Sequence, residues 1–313
     1  MKHTNLGMWG IAWAAVLLVS GCSKNNNPAD AGVSLPADDQ QAIQQIVAAD
    51  ALFTNDATYL NDGSAPLAKD ATAILPRAWG RNIDPNSVTR TVTYQTVDDT
   101  TVIATVTTSY SGSIWIRAKY TQADTGVSTI TKPFSETTTR KVKFARVART
   151  NKPSLNWKVR EVSAVMGGTQ NAQVSIKQVR FFVGDDTLTI TDPNNYWLRL
   201  GYPGGRLVPE LTTSFAKGFK VEVTVTSASP DSDIVSAHRP FWFMGRWQYR
   251  APMRLVSEVN NGDGTFTRVY DHSWAGVWAG RHHMFVSALT RESIFDDTAQ
   301  FSSQVWGVPF IVQ

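Results

Sequence analysis

The chain has little of what usually marks a function. Its 313 residues include one cysteine, Cys22, and only 18% of them are charged. Without a second thiol, no disulfide within the chain can hold the fold together, so stability must come from apolar burial. Lys and Arg number 30 against 26 Asp and Glu, whereas nucleic-acid-binding proteins concentrate basic residues on one face. We therefore expect no nucleic acid partner.

The common chemical motifs are also missing. There is no Gly-x-Ser-x-Gly, no P-loop and no Gly-x-Gly-x-x-Gly, so we expect no catalytic residue and no cofactor. The sequence has no His-x-His or His-x-x-x-His, and we expect its histidines on the surface with no metal bound. A weak calcium site built from two of the loops at Asp185, Asp231 and Asp296 stays open.

The amino-terminal segment carries the most specific signal. It contains one basic residue, Lys2, and then an uncharged, apolar stretch from Leu6 to Val19. A basic head, an apolar stretch of this length and small residues after it are typical of a secretory signal peptide. The run Val19-Ser20-Gly21-Cys22 resembles the lipobox of bacterial lipoproteins. After Cys22, no apolar run approaches the roughly 20 residues of a membrane-spanning helix.

The resemblance implies a lipid anchor. Cys22 would carry a diacylglycerol on its thiol, and the chain would be cut before Cys22 and acylated at its new amino terminus. Residues 1–21 would be the signal peptide, and residues 22–37, with two prolines and few large apolar groups, a lipidated tether. Ser23 stands where Asp would favour retention in the inner membrane. We therefore expect a bacterial cell-envelope protein attached to membrane by its acyl chains, in the outer membrane rather than the inner.

Residues 38–167 are predicted to form a first domain that begins with a helix. Apolar residues recur at helical spacing through residues 40–53, and Asp38 or Asp39 is suited to cap the first turn. A shorter helix is predicted between Pro66 and Trp79. The β-rich segments that follow, separated by turn residues such as Ser111-Gly112, are 89–97, 102–110, 114–120, 137–148 and 156–165.

A helix followed by antiparallel strands predicts an α+β layout with the helix on a curved sheet. The opening run Asp-Gln-Gln-Ala-Ile-Gln-Gln-Ile (39–46) and the closing run Trp-Lys-Val-Arg-Glu-Val-Ser (157–163) resemble the nuclear-transport-factor-2-like superfamily. That resemblance implies an open cone, which serves as an enzyme pocket in some members and as a binding scaffold in others.

The short polar segment Gly167–Asn171 is predicted to be a domain boundary. Residues 172–313 are predicted to form an all-β second domain. Asn260–Thr265 predicts a hairpin, and many short strands favour a two-sheet sandwich. Residues 280–288 and 304–312 resemble the closing strands of immunoglobulin-like modules in bacterial envelope lipoproteins. The predicted fold class is mainly β: an α+β cone-like domain, then an immunoglobulin-like antiparallel β-sandwich. The predicted strands are 174–183, 187–191, 219–226, 241–249, 252–259, 265–271, 282–289 and 305–312.

Aromatic residues give the main candidate for a ligand surface. Six of the eleven tryptophans fall in the second domain. Burial in the sandwich core is one interpretation, since aromatic side chains dominate buried area. The other is an exposed platform of Trp242, Trp274 and Trp278, which would stack on sugar rings or bind a protein.

A basic run in the first domain also has two interpretations. It is either a solvated sheet face or a surface for an anionic ligand or a lipid headgroup. Its members are Arg140, Lys141, Lys143, Arg146 and Arg149.

These features favour a lipid-anchored envelope protein that is not an enzyme and acts as a binding or scaffold module toward protein or glycan partners. The alternative is a small-molecule-binding or catalytic cone in the first domain. A deep, part-apolar pocket in that domain, with an Asp, Glu or Tyr of shifted pKa at its base, would favour the alternative.

Overall fold

The computed structural model describes residues 34–49, 60, 65–66, 73–183, 186–200, 218–240, 248–274 and 280–312. The chain divides into two compact units, residues 1–32 and 33–313. The first unit, with the predicted signal peptide and Cys22, lies outside the described residues.

The secondary structure is mainly β. The helices are α1 (Ala37–Ala49), α2 (Pro153–Asn156) and α3 (Glu292–Phe295). The strands are β1 (Ala65–Pro66), β2 (Leu75–Ile83), β3 (Thr89–Thr96), β4 (Thr101–Lys119), β5 (Ser128–Arg146), β6 (Trp157–Ser163), β7 (Val165–Gly168), β8 (Val174–Val183), β9 (Asp186–Ile190), β10 (Trp197–Arg199), β11 (Phe219–Ser227), β12 (Ile234–Pro240), β13 (Gln248–Pro252), β14 (Arg254–Asn260), β15 (Phe266–Trp274), β16 (Gly280–Leu289) and β17 (Ser303–Val312).

The strands form two antiparallel sheets. The larger has twelve strands with the main order β1-β2-β4-β5-β7-β17-β16-β12-β13, and β3, β6 and β10 attach beside it. It is curled into a half-barrel. The smaller sheet has the order β14-β15-β11-β8-β9. The sequence-based prediction of a mainly β protein with antiparallel sheets is confirmed.

Helix α1 lies where the sequence predicted it and covers one end of the curled sheet. Its buried Ala42, Ile43 and Val47 share an apolar core with residues of β4, β5 and β6. The predicted capping role of Asp38 or Asp39 is wrong, because α1 begins at Ala37 and both residues lie inside the helix. The carboxylate of Asp39 instead accepts hydrogen bonds from Trp157 Nε1 at 2.8 Å and Arg146 Nη2 at 2.5 Å. Asp39 therefore ties the helix to the sheet.

Two predictions in the first half are corrected. The expected turn at Ser111-Gly112 is absent, since β4 runs unbroken through it. Gly112 instead allows close approach of β2, because a Cβ there would lie 2.1 Å from the carbonyl oxygen of Asn82. The predicted second helix is wrong from Leu75 onward, where β2 begins.

The segment predicted as a domain boundary includes a strand. Strand β7 pairs with β5 on one side and β17 on the other, so strands from residues 38–167 and 172–313 share one sheet. A Cβ on Gly167 would lie 2.2 Å from the carbonyl oxygen of Thr137, which shows how closely β7 packs on β5. The predicted limits of the two domains stay a prediction.

Strands β16 and β17 have a different core on each face. Met284, Val286 and Trp306 pack toward the smaller sheet in one apolar cluster. Phe285 and Val305, which alternate with them, belong to a second cluster with residues of β2, β4 and β5. This second cluster lies on the inner face of the curled sheet, beside the polar groups described next.

Candidate functional site

Strand β5 contributes buried charges to the inner face of the curled sheet. Its even-numbered residues from Lys132 to Phe144 are all buried, because one face of the strand points inward. Next to Lys132, Phe134 packs on Phe301 at a ring distance of 5.5 Å, and at the other end of the face Phe144 lies in the core under α1. Between these ends lie Glu136 and Arg140, each 1% exposed.

Glu136 is held by groups from three other strands. Tyr110 Oη on β4 donates to Glu136 Oε2 at 2.9 Å, and Ser303 Oγ on β17 donates to Oε1. Arg81 on β2 places its Nη1 3.6 Å from Oε2, and both of these side chains are fully buried. Glu136 therefore joins β2, β4, β5 and β17 through polar contacts in the interior.

A second buried arginine joins the two ends of the curled sheet. Arg250 on β13 donates from Nη2 to the carbonyl oxygen of Trp79 on β2 at 2.7 Å. Its guanidinium also lies 3.5 Å from the centre of the Trp79 ring, a cation–π distance. Because β13 ends the main strand order opposite β1 and β2, this contact brings the far ends of the sheet together.

Two histidines lie in the same interior, and the expectation that they lie on the surface is wrong. His238 and His283 are 1% and 3% exposed. Burial, and then the nearby guanidinium groups of Arg81 and Arg250, hold the pKa of His238 well below its usual range. Burial and then Arg140 do the same to the pKa of His283. Both imidazoles are therefore neutral near pH 7.

Each imidazole has a defined neighbour. His238 Nε2 lies 2.8 Å from Ser287 Oγ, and His238 sits opposite Arg250 in the β12–β13 register. A Cβ on Gly307 would lie 2.6 Å from Phe285 Cε1 and 3.0 Å from His283 Nε2. Glycine at 307 thus lets β17 approach these two rings.

The chemistry of this interior is that of hydrogen-bond donors. Three guanidinium groups, those of Arg81, Arg140 and Arg250, are accompanied in the described part of the interior by one carboxylate, that of Glu136. Guanidinium groups only donate, and a neutral imidazole both donates and accepts. We call the set Arg81, Glu136, Arg140, His238, Arg250 and His283 the inner polar cluster.

Of the three tryptophans predicted to form a platform, Trp274 is the one that lies within the described residues. Trp274 is 9% exposed. It stacks on Phe219 at a ring distance of 4.9 Å and meets the His272 ring edge-on at 4.4 Å. It therefore occupies a core position. Trp242 and Trp278 lie outside the described residues, as does Cys22.

The basic run of the first domain is not one surface. Arg140 is buried in the inner polar cluster. Lys143 pairs with Glu161, Arg146 with Asp39, and Arg149 with Asp99. Three of the five side chains of the basic run therefore form ion pairs with carboxylates of the protein itself.

The sequence-based search missed most of the inner polar cluster. One signal was available on β5, where Glu136 and Arg140 share the period-two face of Phe134, Val142 and Phe144. Charges on an apolar face indicate burial with partners. No local pattern could have added Arg81 or Arg250, since they come from strands distant in sequence.

A groove of about 480 Å³ lies over the junction of β5, β7 and β17. Hydroxyl, amide and glycine residues form most of its lining. Its residues are Ser135, Thr137, Met166, Gly167, Gly168, Thr169, Gln170, Ala172, Ser303 and Gln304.

No family model, curated protein or solved structure matches the chain. Among the helices that the structure describes, none combines the length and apolar character needed to cross a bilayer. Within the same residues, no group of three or more His, Cys, Asp or Glu side chains is placed to hold a metal ion. The interpretation of the site therefore rests on its own chemistry.

Proposed function

We propose that this chain is a lipid-anchored binding protein of the bacterial cell envelope, with a small-molecule site in the interior of its curled sheet. The carrying observation is the burial of Arg81, Glu136 and Arg140 among neutral histidines. Buried charges add little to stability, since apolar residues in their place are often neutral or stabilising. Binding sites, in contrast, combine apolar walls with a few converging polar groups.

The proposed architecture is a cone-like α+β part followed by an immunoglobulin-like sandwich. Support for the cone comes from α1 lying on the curled sheet near β4, β5 and β6. Support for the sandwich comes from the apolar cluster that the smaller sheet shares with β12, β13, β16 and β17. The hairpin of β14 and β15 at Asn260–Thr265 also fits this arrangement.

The proposed anchor is the acylated Cys22, in the outer membrane rather than the inner. Its support is the run Val19-Ser20-Gly21-Cys22 with Ser23 after it. The acyl chains are the membrane attachment in this proposal.

Binding rather than catalysis is proposed for the interior. A general acid or base must reach the reacting group of a substrate. The carboxylate of Glu136 is instead engaged by Tyr110, Ser303 and Arg81. This arrangement suits a structural role better than contact with a reacting substrate.

A protein or glycan partner is the second candidate, and the groove over β5, β7 and β17 favours it. Its hydroxyl and amide lining matches the hydrogen-bonding character of sugars and exposed backbone. Replacement of the lining Ala172 by Trp should block the groove. Unchanged binding to envelope glycan fractions in that variant would eliminate this candidate.

Accessibility of an introduced thiol tests the interior site. Ser236 on β12 is 2% exposed and pairs with Ser287, the neighbour of His238. In the full-length protein purified in detergent, Ser236→Cys should react with the small neutral reagent methyl methanethiosulfonate. Wild type supplies the background from Cys22, Ser128→Cys on the surface gives the fast limit, and Val223→Cys in the core between the sheets gives the slow limit. Reaction of Ser236→Cys no faster than Val223→Cys would refute the interior site.

A further inference from the structure

We infer that the folded unit contacts the lipid bilayer that holds its acyl anchor, through three exposed apolar side chains at one end of the curled sheet. They are Val97, Val147 and Leu155, and we call them the apolar tip. The inference rests on the lipid anchor of the proposed function and adds a second contact with the same bilayer.

The apolar tip is exposed on the folded unit. Val97 is 55% exposed, Val147 is 39% exposed and Leu155 is 60% exposed. Single exposed apolar side chains are normal on a protein surface, whereas a group of them marks a protein or membrane interaction site. What matters is therefore whether the three residues lie together.

Hydrogen bonds join the segments that carry the three residues. The turn between β3 and β4 contains Val97, and in this turn the carbonyl oxygen of Thr100 accepts from the backbone of Arg146 at 2.7 Å. The next residue, Val147, donates from its backbone to the last residue of α2, also at 2.7 Å. Leu155 directly precedes that residue in α2. The apolar tip therefore consists of two adjacent connections at the same end of the sheet.

The described chain begins at this same end. Asp39, in the first turn of α1, accepts hydrogen bonds from Arg146 at the end of β5 and from Trp157 at the start of β6. Leu35, just before α1, is buried in the apolar core that includes Trp157. The chain that continues from Cys22 therefore enters the folded unit beside the apolar tip.

The length of chain before this entry limits which end of the sheet can face the bilayer. Residues 23–33 separate Cys22 from Ser34, which allows a span of at most about 40 Å. Val127, in the connection between β4 and β5, lies at the opposite end of β4, about 60 Å away along the strand. With upright strands and Val127 on the membrane, Ser34 would lie beyond that span. The span therefore favours the apolar tip as the end that faces the bilayer.

The anchor also makes a weak apolar contact effective. Even a single myristoyl chain binds a membrane only marginally, so three small side chains would not hold a free protein there. A tethered contact, in contrast, forms at an effective concentration on the order of millimolar. Exposed charges at this end have both signs, namely Asp98, Asp99, Arg149 and Lys152. We therefore assign the contact to the apolar side chains rather than to attraction by anionic lipid.

Fluorescence quenching from within the bilayer tests the inference. Val147→Cys and Val127→Cys are matched variants, because these valines are 39% and 42% exposed. Each full-length, processed protein is labelled in detergent with a nitrobenzoxadiazole iodoacetamide. It is then reconstituted into phosphatidylcholine vesicles with or without nitroxide groups on the lipid acyl chains.

The label at Val147→Cys should lose at least about half of its emission to the nitroxide lipid, since interfacial apolar groups lie about 5–10 Å into the boundary of headgroups and acyl chains. The label at Val127→Cys should keep most of its emission. Equal losses at the two positions would overturn the inference.

Wild type separates failure of the anchor from failure of the membrane contact. An acylated Cys22 has no free thiol, so wild type should take up no label and should float with the vesicles. Wild type that is labelled and does not float would refute the anchor, and with it the contact that depends on the anchor. Wild type that floats unlabelled, with equal quenching in the two variants, would refute the contact and leave the anchor intact.

Polar substitutions show which side chains make the contact. In the Val147→Cys background, Val97→Ser together with Leu155→Ser should reduce the quenching at least about twofold, because apolar area is removed from the bilayer interface. Leu255→Ser together with Val259→Ser removes two exposed apolar side chains from β14 and should leave the quenching unchanged. Equal quenching in the two pairs would overturn the role of the apolar tip.

Salt separates an apolar contact from an electrostatic one. Sodium chloride at about 1 M shortens the Debye length to about 3 Å. The quenching at Val147→Cys should be the same in high and low salt. Its loss in high salt would assign the contact to charged side chains such as Arg149 and Lys152, and would overturn its assignment to the apolar tip.

Discussion

Arg250 binds Trp79 in two ways, with a hydrogen bond of 2.7 Å to its carbonyl oxygen and a distance of 3.5 Å to its ring. The two residues come from β13 and β2, near opposite ends of the main strand order of the curled sheet. One buried side chain thus makes two different contacts at the place where the sheet comes close to itself.

Replacement of Arg250 by Ala should destabilise the protein by about 2–4 kcal/mol, because a charge-assisted hydrogen bond and a cation–π contact are lost together. Urea unfolding followed by tryptophan fluorescence measures the change. Arg117→Ala removes an exposed arginine and serves as the control. Equal midpoints for the two variants would show that the Arg250–Trp79 contact adds no stability.

Replacement of Asp39 by Ala should reduce stability by about 2–3 kcal/mol, since Trp157 Nε1 and the Arg146 guanidinium lose their acceptor. Asp38→Ala is the matched control, because Asp38 is the exposed neighbour in the same helical turn. Hydrogen exchange of residues 37–49 should accelerate in the Asp39 variant alone. Equal exchange in both variants would contradict the anchoring role.

The stability of the protein should fall as the pH drops below about 6.5, the usual pKa of histidine. His238 and His283 have lowered pKa values in the folded state, so the unfolded chain binds more protons in this range. The stability that depends on the two neutral histidines is fully present above their pKa in the unfolded chain. It is lost as the pH falls toward their lower pKa in the folded protein. Each histidine adds a slope of at most about 1.4 kcal/mol per pH unit.

Urea unfolding at several pH values between 5 and 8 measures this slope. The single variants His238→Asn and His283→Asn should each remove about half of it, and the double variant should remove it within this window. A slope in the double variant equal to that of wild type would assign the dependence to other groups.

Replacement of Gly167 by Ala should destabilise the protein by about 1–3 kcal/mol, because the added Cβ meets the backbone of β5. Gly126→Ala is the matched control, since no atom lies within 4 Å of its built Cβ. Thermal unfolding of the two variants measures the difference. A Gly167 variant as stable as the Gly126 variant would mean that β7 does not pack closely on β5.

Replacement of Cys22 by Ser should convert a membrane-bound protein into a soluble or unprocessed one. Two or more acyl chains make attachment stable, and each buried methylene contributes about 0.8 kcal/mol. Membrane fractionation and the intact mass of both proteins test this expectation. A wild-type protein without lipid mass, or a mature-size variant that stays in membranes, would refute the anchor.

The sequence predicted the positions of the strands and of α1 along the chain better than it predicted how the strands are arranged in the sheets. Period-two alternation located β3 and the second half of β5, and helical spacing located α1, because these are local patterns. The turn predicted at Gly112 is wrong because glycine is favoured both in turns and where two strands approach closely. Its role depends on Asn82, which lies on a neighbouring strand.

The inner polar cluster was beyond sequence reasoning for a related reason. Glu136 meets Arg81, Tyr110 and Ser303 from three other strands, and the last is 167 residues away in the chain. Only the register of the whole sheet brings these residues together. Tertiary burial also decided the positions of His238 and His283, whose residue type alone favoured the surface.

Strand β17 contributes side chains to two apolar cores, and it therefore limits when these two cores can be completed. Its residues complete the core against the smaller sheet and the inner face of the curled sheet, yet β17 is the last strand in the chain. Contacts between strands so distant in sequence form slowly, since a long loop must close first. The nascent chain can finish neither core before residues 303–312 have been synthesised. Both of these cores therefore remain incomplete until almost the whole of the given sequence has been synthesised.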